Sequence, residues 1–311
     1  MTGSRLHTRL AELFGERCAF GVPMAPLTTW QVGGPADCLL RPVTAEEIAE
    51  VVRLCTAENE TFRVFGACSN LLILDGGLRG VTLLMRQGFE KFEPEFRDGG
   101  EVVLTVGAAL LSQTVVDRSA AAGIDGLQFI SGVPGTIGGG IRMNAGTYLG
   151  DFSQVLREIT VVDADGKIRR VPRDKLVYRY RGLVLDGSFV VTEAKLELRR
   201  GEAAKIRAEV DAIIASRHSR HPWDLPSGGS TFKNPENDHA GRLIEAAGLK
   251  GFQIGGARVS EKHANFLVNV GQAKAADILA LIEHVRQTVY DRFGIWLDPE
   301  VKILGERDVQ G

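Results

Sequence analysis

Between His7 and His218 the sequence contains no histidine, and its four cysteines, Cys18, Cys38, Cys55 and Cys68, show no C-x-x-C spacing. The other five histidines, His218, His221, His239, His263 and His284, lie far downstream of every cysteine, which argues against a structural zinc site, and the cysteines read as free thiols. His218 and His221 have the spacing of a metal pair, but Pro222 follows directly, and they read instead as the frayed end of a helix. No Gly-Lys-Ser/Thr ends a glycine run and no G-x-G-x-x-G occurs, which removes both the P-loop and the Rossmann fingerprint. No basic run stands out. With 37 Lys and Arg against 39 Asp and Glu, the net charge of −2 gives no general attraction for nucleic acid or an anionic membrane. The first twenty residues lack the apolar core of a signal peptide, and no stretch reaches the roughly 18 apolar residues of a membrane span. The expected compartment is the cytoplasm.

What is present is glycine, concentrated in residues 131–146, SGVPGTIGGGIRMNAG. This composition suits neither a helix nor a strand, because glycine pays the largest backbone entropy on folding and proline fixes a turn. It suits a backbone that approaches a ligand closely and turns successive N–H groups toward it, as phosphates require. A glycine-rich surface loop is the alternative.

At 311 residues and 44% hydrophobic, the chain is long enough for more than one core. Thr44 with Glu47 predicts a capping box, starting a helix with Ile48, Val51, Val52 and Cys55 on one face. A strand at 62–65 runs into a short polar loop, Gly66, Ala67, Cys68, Ser69 and Asn70, and then into further strands at 71–74 and 81–85. No helix starts at that loop, unlike a βαβ unit, but its amides and serine hydroxyl suit a phosphate. Residues 90–100 read as a loop, 101–107 as a half-buried strand, 111–122 as a helix ending at Gly123, and 159–171 as a hairpin turning at Asp165-Gly166. A strand follows at 190–198, and then a helix over 202–219 with Ile206, Val210, Ile213 and Ile214 on one side. Beyond it the segments shorten: a loop at 222–235, a helix at 240–247, a strand at 266–270, and a long helix whose inner face is Ile278, Leu281, Ile282, Val285, Val289 and Phe293. We therefore divide the chain into a segment 1–24, a domain 25–200 with subdomains 25–85 and 86–200, and a domain 201–311. No internal repeat is visible.

Three further places carry chemistry. In VYRYRG, an extended backbone puts Arg179 and Arg181 on one face and Tyr178 and Tyr180 on the other, and an arginine braced by aromatics clamps a carboxylate or enolate. In SGGSTFKNP, two glycines free the backbone to present Ser230, with Lys233 and Asn234 nearby, although Phe232 and Lys233 rule out a G-x-S-x-G elbow. In DPEVKILGE, Glu300 stands at the start of a strand, where a half-buried carboxylate can stabilise charge or relay a proton. Each also has a plain reading: a solvated strand face, an irregular loop and an exposed glutamate.

Taken in order, TTWQVGGPAD, FGACSNLLI, SGVPGTIGGGIRMNAG, YRYR, GGSTFKNP, GGARVSEKHANFLVN and PEVKILGE resemble the UDP-N-acetylenolpyruvoylglucosamine reductase family over about residues 28–306. The resemblance implies an α+β fold, with an FAD-binding domain of the p-cresol methylhydroxylase type and a separate C-terminal α+β substrate domain. It implies non-covalent FAD held by Gly66, Ala67, Cys68, Ser69 and Asn70 and by Ser131, Gly132, Pro134, Gly135, Thr136, Gly138, Gly139, Asn144, Ala145 and Gly146. It implies NADPH as the hydride source and UDP-N-acetylglucosamine enolpyruvate as the substrate, reduced to UDP-N-acetylmuramate for peptidoglycan by a cytoplasmic monomer. Arg179 and Glu300 match the family's enolate-stabilising residues and Ser230 its proton donor; Tyr148, Asn234 and Lys262 are the matching candidates for the UDP-sugar.

The chain departs from the family pattern at Ala67 and Cys68, where glycine is common. It lacks the inserted tyrosine-bearing loop of the longer family form. The lack of histidine in the first domain fits a cofactor that is not covalently attached. A different flavin oxidoreductase of this fold, or a flavin or nucleotide-sugar regulator without turnover, remain the alternatives; the latter has no need of Arg179, Ser230 and Glu300 together.

Overall fold

The computed structural model describes residues 5–179, 181–185 and 187–308. Its backbone forms two compact units: one of residues up to Ala19 with Cys38–Ala67 and Gly80–Ser216, the other of Phe20–Asp37, Cys68–Arg79 and the chain from Arg217 onward. The second unit is thus assembled from three separated stretches, whereas the division near residue 200 treats each domain as continuous.

In the first unit an antiparallel sheet runs in the order Ile168–Pro172, Leu156–Asp163, Phe189–Arg200, Glu101–Gly107, Phe92–Phe96, with Ile124–Asp125 pairing the end of Phe189–Arg200. The expected hairpin is present, with Ile159 opposite Val171. Phe92–Phe96 lies in the segment expected to be a loop. It is an edge strand, and its alternating glutamates with Pro94 are the composition that edges tolerate and that hides them from sequence.

The helix Ala45–Ala57 starts where the capping box predicts. Thr44 Oγ1 accepts the Glu47 N–H at 3.1 Å. Glu47 reaches further than a simple box, accepting the Val43 N–H at 2.7 Å and pairing with both terminal nitrogens of Arg17 at 2.7 and 2.6 Å. The Arg17 guanidinium holds the Glu47 carboxyl below its ordinary range. Ile48, Val51, Val52 and Cys55 are buried as expected.

The glycine-rich stretch corrects the reading of its composition, because it contains a helix, Ile137–Arg142, N-capped by Thr136. The glycines are required by closeness. A Cβ on Gly138 would lie 2.8 Å from Ala108 Cβ, and one on Gly140 would lie 2.6 Å from the Phe152 ring. Packing density overrides propensity there.

The second unit carries an antiparallel sheet in the order Ser227–Ser230, Phe266–Asn269, Ala257–Val259, Gln253–Ile254. Ser227–Ser230 falls in the expected 222–235 loop; its two glycines and a register shift conceal the strand. Leu71–Ile73 pairs in parallel with Lys302–Leu304. The helix Ala275–Phe293 buries Ile278, Leu281, Ile282, Val285 and Val289 and stops at Gly294, at φ +68°. Phe293, expected on that inner face, is the helix's last residue and is 39% exposed. Trp30 is fully buried, its Nε1 donating to the Leu267 carbonyl at 2.8 Å.

The expected frayed helix end resolves into an aromatic cluster. Ala203–Arg220 includes His218, whose ring stacks on Trp223 at 4.7 Å, and His221 follows the helix against Phe266 at 4.9 Å and His263 at 5.4 Å. Among the described residues there is no cluster of three potential metal ligands, and no helix is long and apolar enough to cross a membrane.

Two outcomes follow from this packing. Gly140→Ala, although a favourable change in an ordinary helix, is expected to lower unfolding stability by about 1–3 kcal/mol through overpacking. Gly139→Ala meets only Thr136 Oγ1, at 3.3 Å, and should stay within about 1 kcal/mol of the parent in urea unfolding. Burial, with Arg217 next in effect, pushes the His221 pKa down from 6.5 to about 4. Its folded value lies below the unfolded one, so its contribution to stability is intact above pH 6.5 and is lost as pH falls toward 4. His221→Gln should therefore flatten the decline of the urea midpoint across that window; identical slopes in both proteins would refute the assignment.

Candidate active site

In the first unit, the glycine-rich stretch and the loop after Phe62–Phe65 approach each other at one point. A Cβ on Gly66 would lie 2.1 Å from Thr136 Oγ1, the atom that caps Ile137–Arg142 through the Gly139 N–H at 3.3 Å. Any larger residue at 66 displaces that cap. Most amides of the stretch are spent internally: Ser131 on Gln128, Gly132 on Gln113 Oε1 at 2.8 Å, Val133 on Ile130, Ile137 on Leu110 and Gly138 on Ala108. The expected row of ligand-facing amides is therefore shorter than the composition suggests. Among the described residues, the N–H groups of Gly135 and Thr136 donate to no protein acceptor. Gly135 sits at φ +151°, its carbonyl accepting the Ser112 N–H at 3.0 Å. Ser131 is fully buried, yet its hydroxyl has no partner.

The end of the stretch is structural in the same way. Asn144, at φ +43°, accepts the Ser153 N–H on Oδ1 at 3.0 Å. Ala145 donates to the Gly140 carbonyl at 2.7 Å, and a Cβ on Gly146 would lie 2.2 Å from the Gly150 carbonyl oxygen. An orphaned buried hydroxyl, two uncommitted amides and a backbone too close for side chains together fit a phosphate-bearing cofactor. Tyr148 is 83% exposed.

Arg179 ends the strand Val177–Arg179, which pairs with Gly182–Val184, Arg179 opposite Gly182. The chain turns there, with Arg181 at φ +54°, so Arg179 and Arg181 do not share the face of one extended strand. Tyr180 lies outside the described residues. Arg179 is exposed, and among the described residues no carboxylate pairs with it. The hairpin is tethered to the glycine-rich helix by Arg142, whose guanidinium donates to the Leu183 carbonyl and lies 4.6 Å from the centre of the Phe189 ring. Burial lowers the Arg142 pKa. The Tyr178 hydroxyl is buried without a partner, and burial pushes its pKa up to about 12.

The second unit brings Ser230 and Glu300 onto neighbouring backbone. Glu300 donates its N–H to the carbonyl of Thr231 at 2.8 Å, Phe232 bridges Pro299, and Lys233 donates to the Asp298 carbonyl at 2.9 Å. Asn70 joins the same group: its Nδ2 donates to the Glu300 carbonyl at 3.3 Å and its own carbonyl accepts the Lys302 N–H at 3.0 Å. Thr29 Oγ1 donates to the Ser69 carbonyl at 3.3 Å. Cys68 is buried at φ +54°. Of the residues expected to hold a UDP-sugar, Asn234 accepts the Ala240 N–H on Oδ1 at 3.1 Å, capping Ala240–Ala246, and Lys262 Nζ donates to the His218 carbonyl at 2.7 Å.

Sequence reasoning gave no role to Arg142, Asn265 or Asn269. Each is a polar residue inside a quoted motif, and two are buried: Asn265 brackets the Phe232 backbone, and Asn269 donates to the Trp30 carbonyl at 3.0 Å. A polar residue within the apolar run HANFLVN was the available signal.

A family model described as UDP-N-acetylenolpyruvoylglucosamine reductase, C-terminal domain, matches residues 221–304, and one described as an FAD binding domain matches residues 36–172. The UDP-N-acetylenolpyruvoylglucosamine reductase of Acidiphilium cryptum is 42% identical over 289 residues, covering 93% of this chain and 92% of the relative. That of Pediococcus pentosaceus is 42% identical over 285 residues, covering 91% and 93%. The crystal structure of the reductase from Thermus caldophilus superposes with a TM-score of 0.77 at 33% identity, over 91% of this chain and 97% of that one. The architecture is α+β, with the FAD-binding domain and the separate C-terminal domain that the resemblance implies. By identity over nearly its whole length and by fold, the chain belongs to the UDP-N-acetylenolpyruvoylglucosamine reductase family.

Proposed function

We propose that this chain reduces UDP-N-acetylglucosamine enolpyruvate to UDP-N-acetylmuramate, using FAD and consuming NADPH, as a cytoplasmic monomer in peptidoglycan precursor synthesis. The observation that carries this reading is the 42% identity, over 93% of the chain, to a relative named for that reaction. The backbone bond that sets Glu300 beside the Ser230 strand supports it. We assign FAD binding to residues 25–200, with Cys68, Ser69 and Asn70 within its first loop, and substrate binding to 201–311.

FAD, held by the 66–70 loop and the 131–146 stretch and reduced by NADPH, would supply the hydride that reduces the enolpyruvyl group. The residues of the chain handle the charge and the proton. Hydride addition moves an electron pair toward the substrate carboxylate. Arg179 supplies fixed positive charge to the enolate that forms, and Glu300, in its protonated carboxylic acid form, donates a hydrogen bond to it. Preorganised groups of this kind lower the barrier because they need no reorganisation as charge develops. Ser230 gives its hydroxyl proton to the adjacent carbon, completing the lactyl ether; a serine suffices as the acid because the centre it protonates is strongly basic. Tyr148, Asn234 and Lys262 are assigned to the UDP-sugar. Asn234 bonds the Ala240 N–H and Lys262 the His218 carbonyl.

The purified protein should be yellow and release its colour on acid or heat treatment, and it should oxidise NADPH in response to UDP-N-acetylglucosamine enolpyruvate. Folded protein without flavin would refute the cofactor assignment. Flavin that is reoxidised by oxygen but not by that substrate would favour a different oxidoreductase. Ser230→Ala should leave flavin reduction by NADPH within about 2-fold of the parent and slow the substrate half-reaction by about 10²-fold or more, the usual yield of a positioned acid.

A further inference from the structure

We propose that Asn265 is a positioning residue for the proposed proton donor: its side-chain amide stands in for a missing strand partner and fixes the backbone that presents Ser230. The inference rests on the assignment of Ser230 above.

Ser227–Ser230 is a poorly anchored strand. Ser227 pairs with Val268 and Ser230 with Phe266, but the register shifts between them. Gly229 lies at φ +78°, and Gly228 runs so close to Trp30 that a Cβ would lie 2.6 Å from the indole ring. Two glycines and an irregular ladder leave this segment with little rigidity of its own. Its definition must come from the residues that follow.

Those residues are held by Asn265. The Asn265 main-chain carbonyl accepts the Thr231 N–H at 2.8 Å. Its Oδ1 accepts the Phe232 N–H at 2.9 Å, and its Nδ2 donates to the Phe232 carbonyl at 2.8 Å. One amide thus supplies both the donor and the acceptor that a neighbouring strand would offer. Asn265 and Phe232 are 4% and 1% exposed, so water cannot take over either bond. On the other side, the Thr231 carbonyl accepts the Glu300 N–H at 2.8 Å. Thr231 and Phe232 therefore lie between Asn265 and the Glu300 segment, and Ser230 is the residue immediately before them.

Asn265 is itself oriented. Its N–H donates to His263 Nδ1 at 3.2 Å, which makes that nitrogen the acceptor and leaves the ring proton on Nε2. Only asparagine has the required length with both a donor and an acceptor: aspartate keeps the acceptor and loses the donor, and serine reaches neither position.

The test is a double-mutant cycle on the two half-reactions, followed by stopped-flow in the flavin-loaded enzyme. Asn265→Ser should slow the substrate half-reaction by about 10²-fold, the cost of a displacement near 1 Å, and leave flavin reduction by NADPH unchanged. In a Ser230→Ala background the same change should have almost no further effect, because it acts through that hydroxyl. Hydrogen exchange of a peptide spanning 227–235 should rise in Asn265→Ser while peptides of the first unit stay as in the parent. If Asn265→Ser does not accumulate as folded protein, the near-isosteric Asn265→Asp is put through the same cycle. Equal loss in both half-reactions, or a full multiplicative loss on top of Ser230→Ala, overturns the positioning role while leaving the Ser230 assignment standing. If Ser230→Ala alone leaves the substrate half-reaction unchanged, the Ser230 assignment fails and the inference fails with it.

Discussion

The parallel pairing of Leu71–Ile73 with Lys302–Leu304, closed by Asn70, is the constraint on which the second unit depends. It joins segments 230 residues apart in sequence, so its backbone bonds form only after a large loss of chain entropy. Once made, it determines where Glu300 stands, because the Glu300 carbonyl receives the Asn70 amide and its N–H reaches Thr231. The same carboxamide side chain thus connects the loop expected to bind a cofactor with the segment carrying a proposed catalytic carboxylate. Trp30 extends the arrangement. Its indole lies under Gly228 and bonds the Leu267 carbonyl, while its own carbonyl is held by Asn269. A unit built from three separated stretches gains rigidity at the points where they cross, and Ser230 and Glu300 lie beside such crossings.

The first unit solves a different problem with glycine. In residues 131–146 the glycines were expected to free amides for a ligand, but most of those amides are bonded within the protein. What glycine provides at 138, 140 and 146 is contact with Ala108, Phe152 and Gly150 at distances that no Cβ permits. Close packing of this kind holds Thr136 in place and brings Gly66 against it. The part of the stretch proposed to face the cofactor is then short and rigid, which would favour binding because little order remains to be imposed.

Much of this was legible in the sequence where one local signal decides the outcome. Thr44 and Glu47 announced the start of a helix, Gly123 and Gly294 its ends elsewhere, and Asp165-Gly166 a hairpin. The illegible parts are those decided by partners distant in the chain. Phe92–Phe96 is a strand because Glu101–Gly107 offers it an edge, and the helix Ile137–Arg142 carries glycine at 138 and 140 because Ala108 and Phe152 leave no room for side chains there. Ser230 and Glu300 stood out as polar groups in a glycine-rich and a largely apolar motif, and Arg179 in a run alternating arginine with tyrosine. Asn265 is likewise a polar residue within an apolar run, HANFLVN, but the role of a carboxamide that substitutes for a strand has no pattern until the strand it completes is known.

Backbone strain is found both inside and outside these motifs, Asn59, Asn237 and Gln272 holding left-handed φ angles elsewhere in the chain. Gln31, Cys68, Asn144 and Arg181 all hold left-handed φ angles, between +43° and +57°, and all four lie within the motifs that carry the family resemblance. Each such residue costs on the order of 1 kcal/mol, a cost that glycine avoids. Asn144 offsets it by capping Ser153, and Cys68 by burying its side chain. The family commonly has glycine at the position of Cys68, and a φ of +54° there explains why glycine suits it. The loop keeps its path with a cysteine because its neighbours are fixed: Ser69 by Thr29, and Asn70 by Glu300 and Lys302. Strain can persist at a residue when the bonds on its flank are stronger than the preference it violates, and in this chain those bonds also position the groups proposed to do the chemistry.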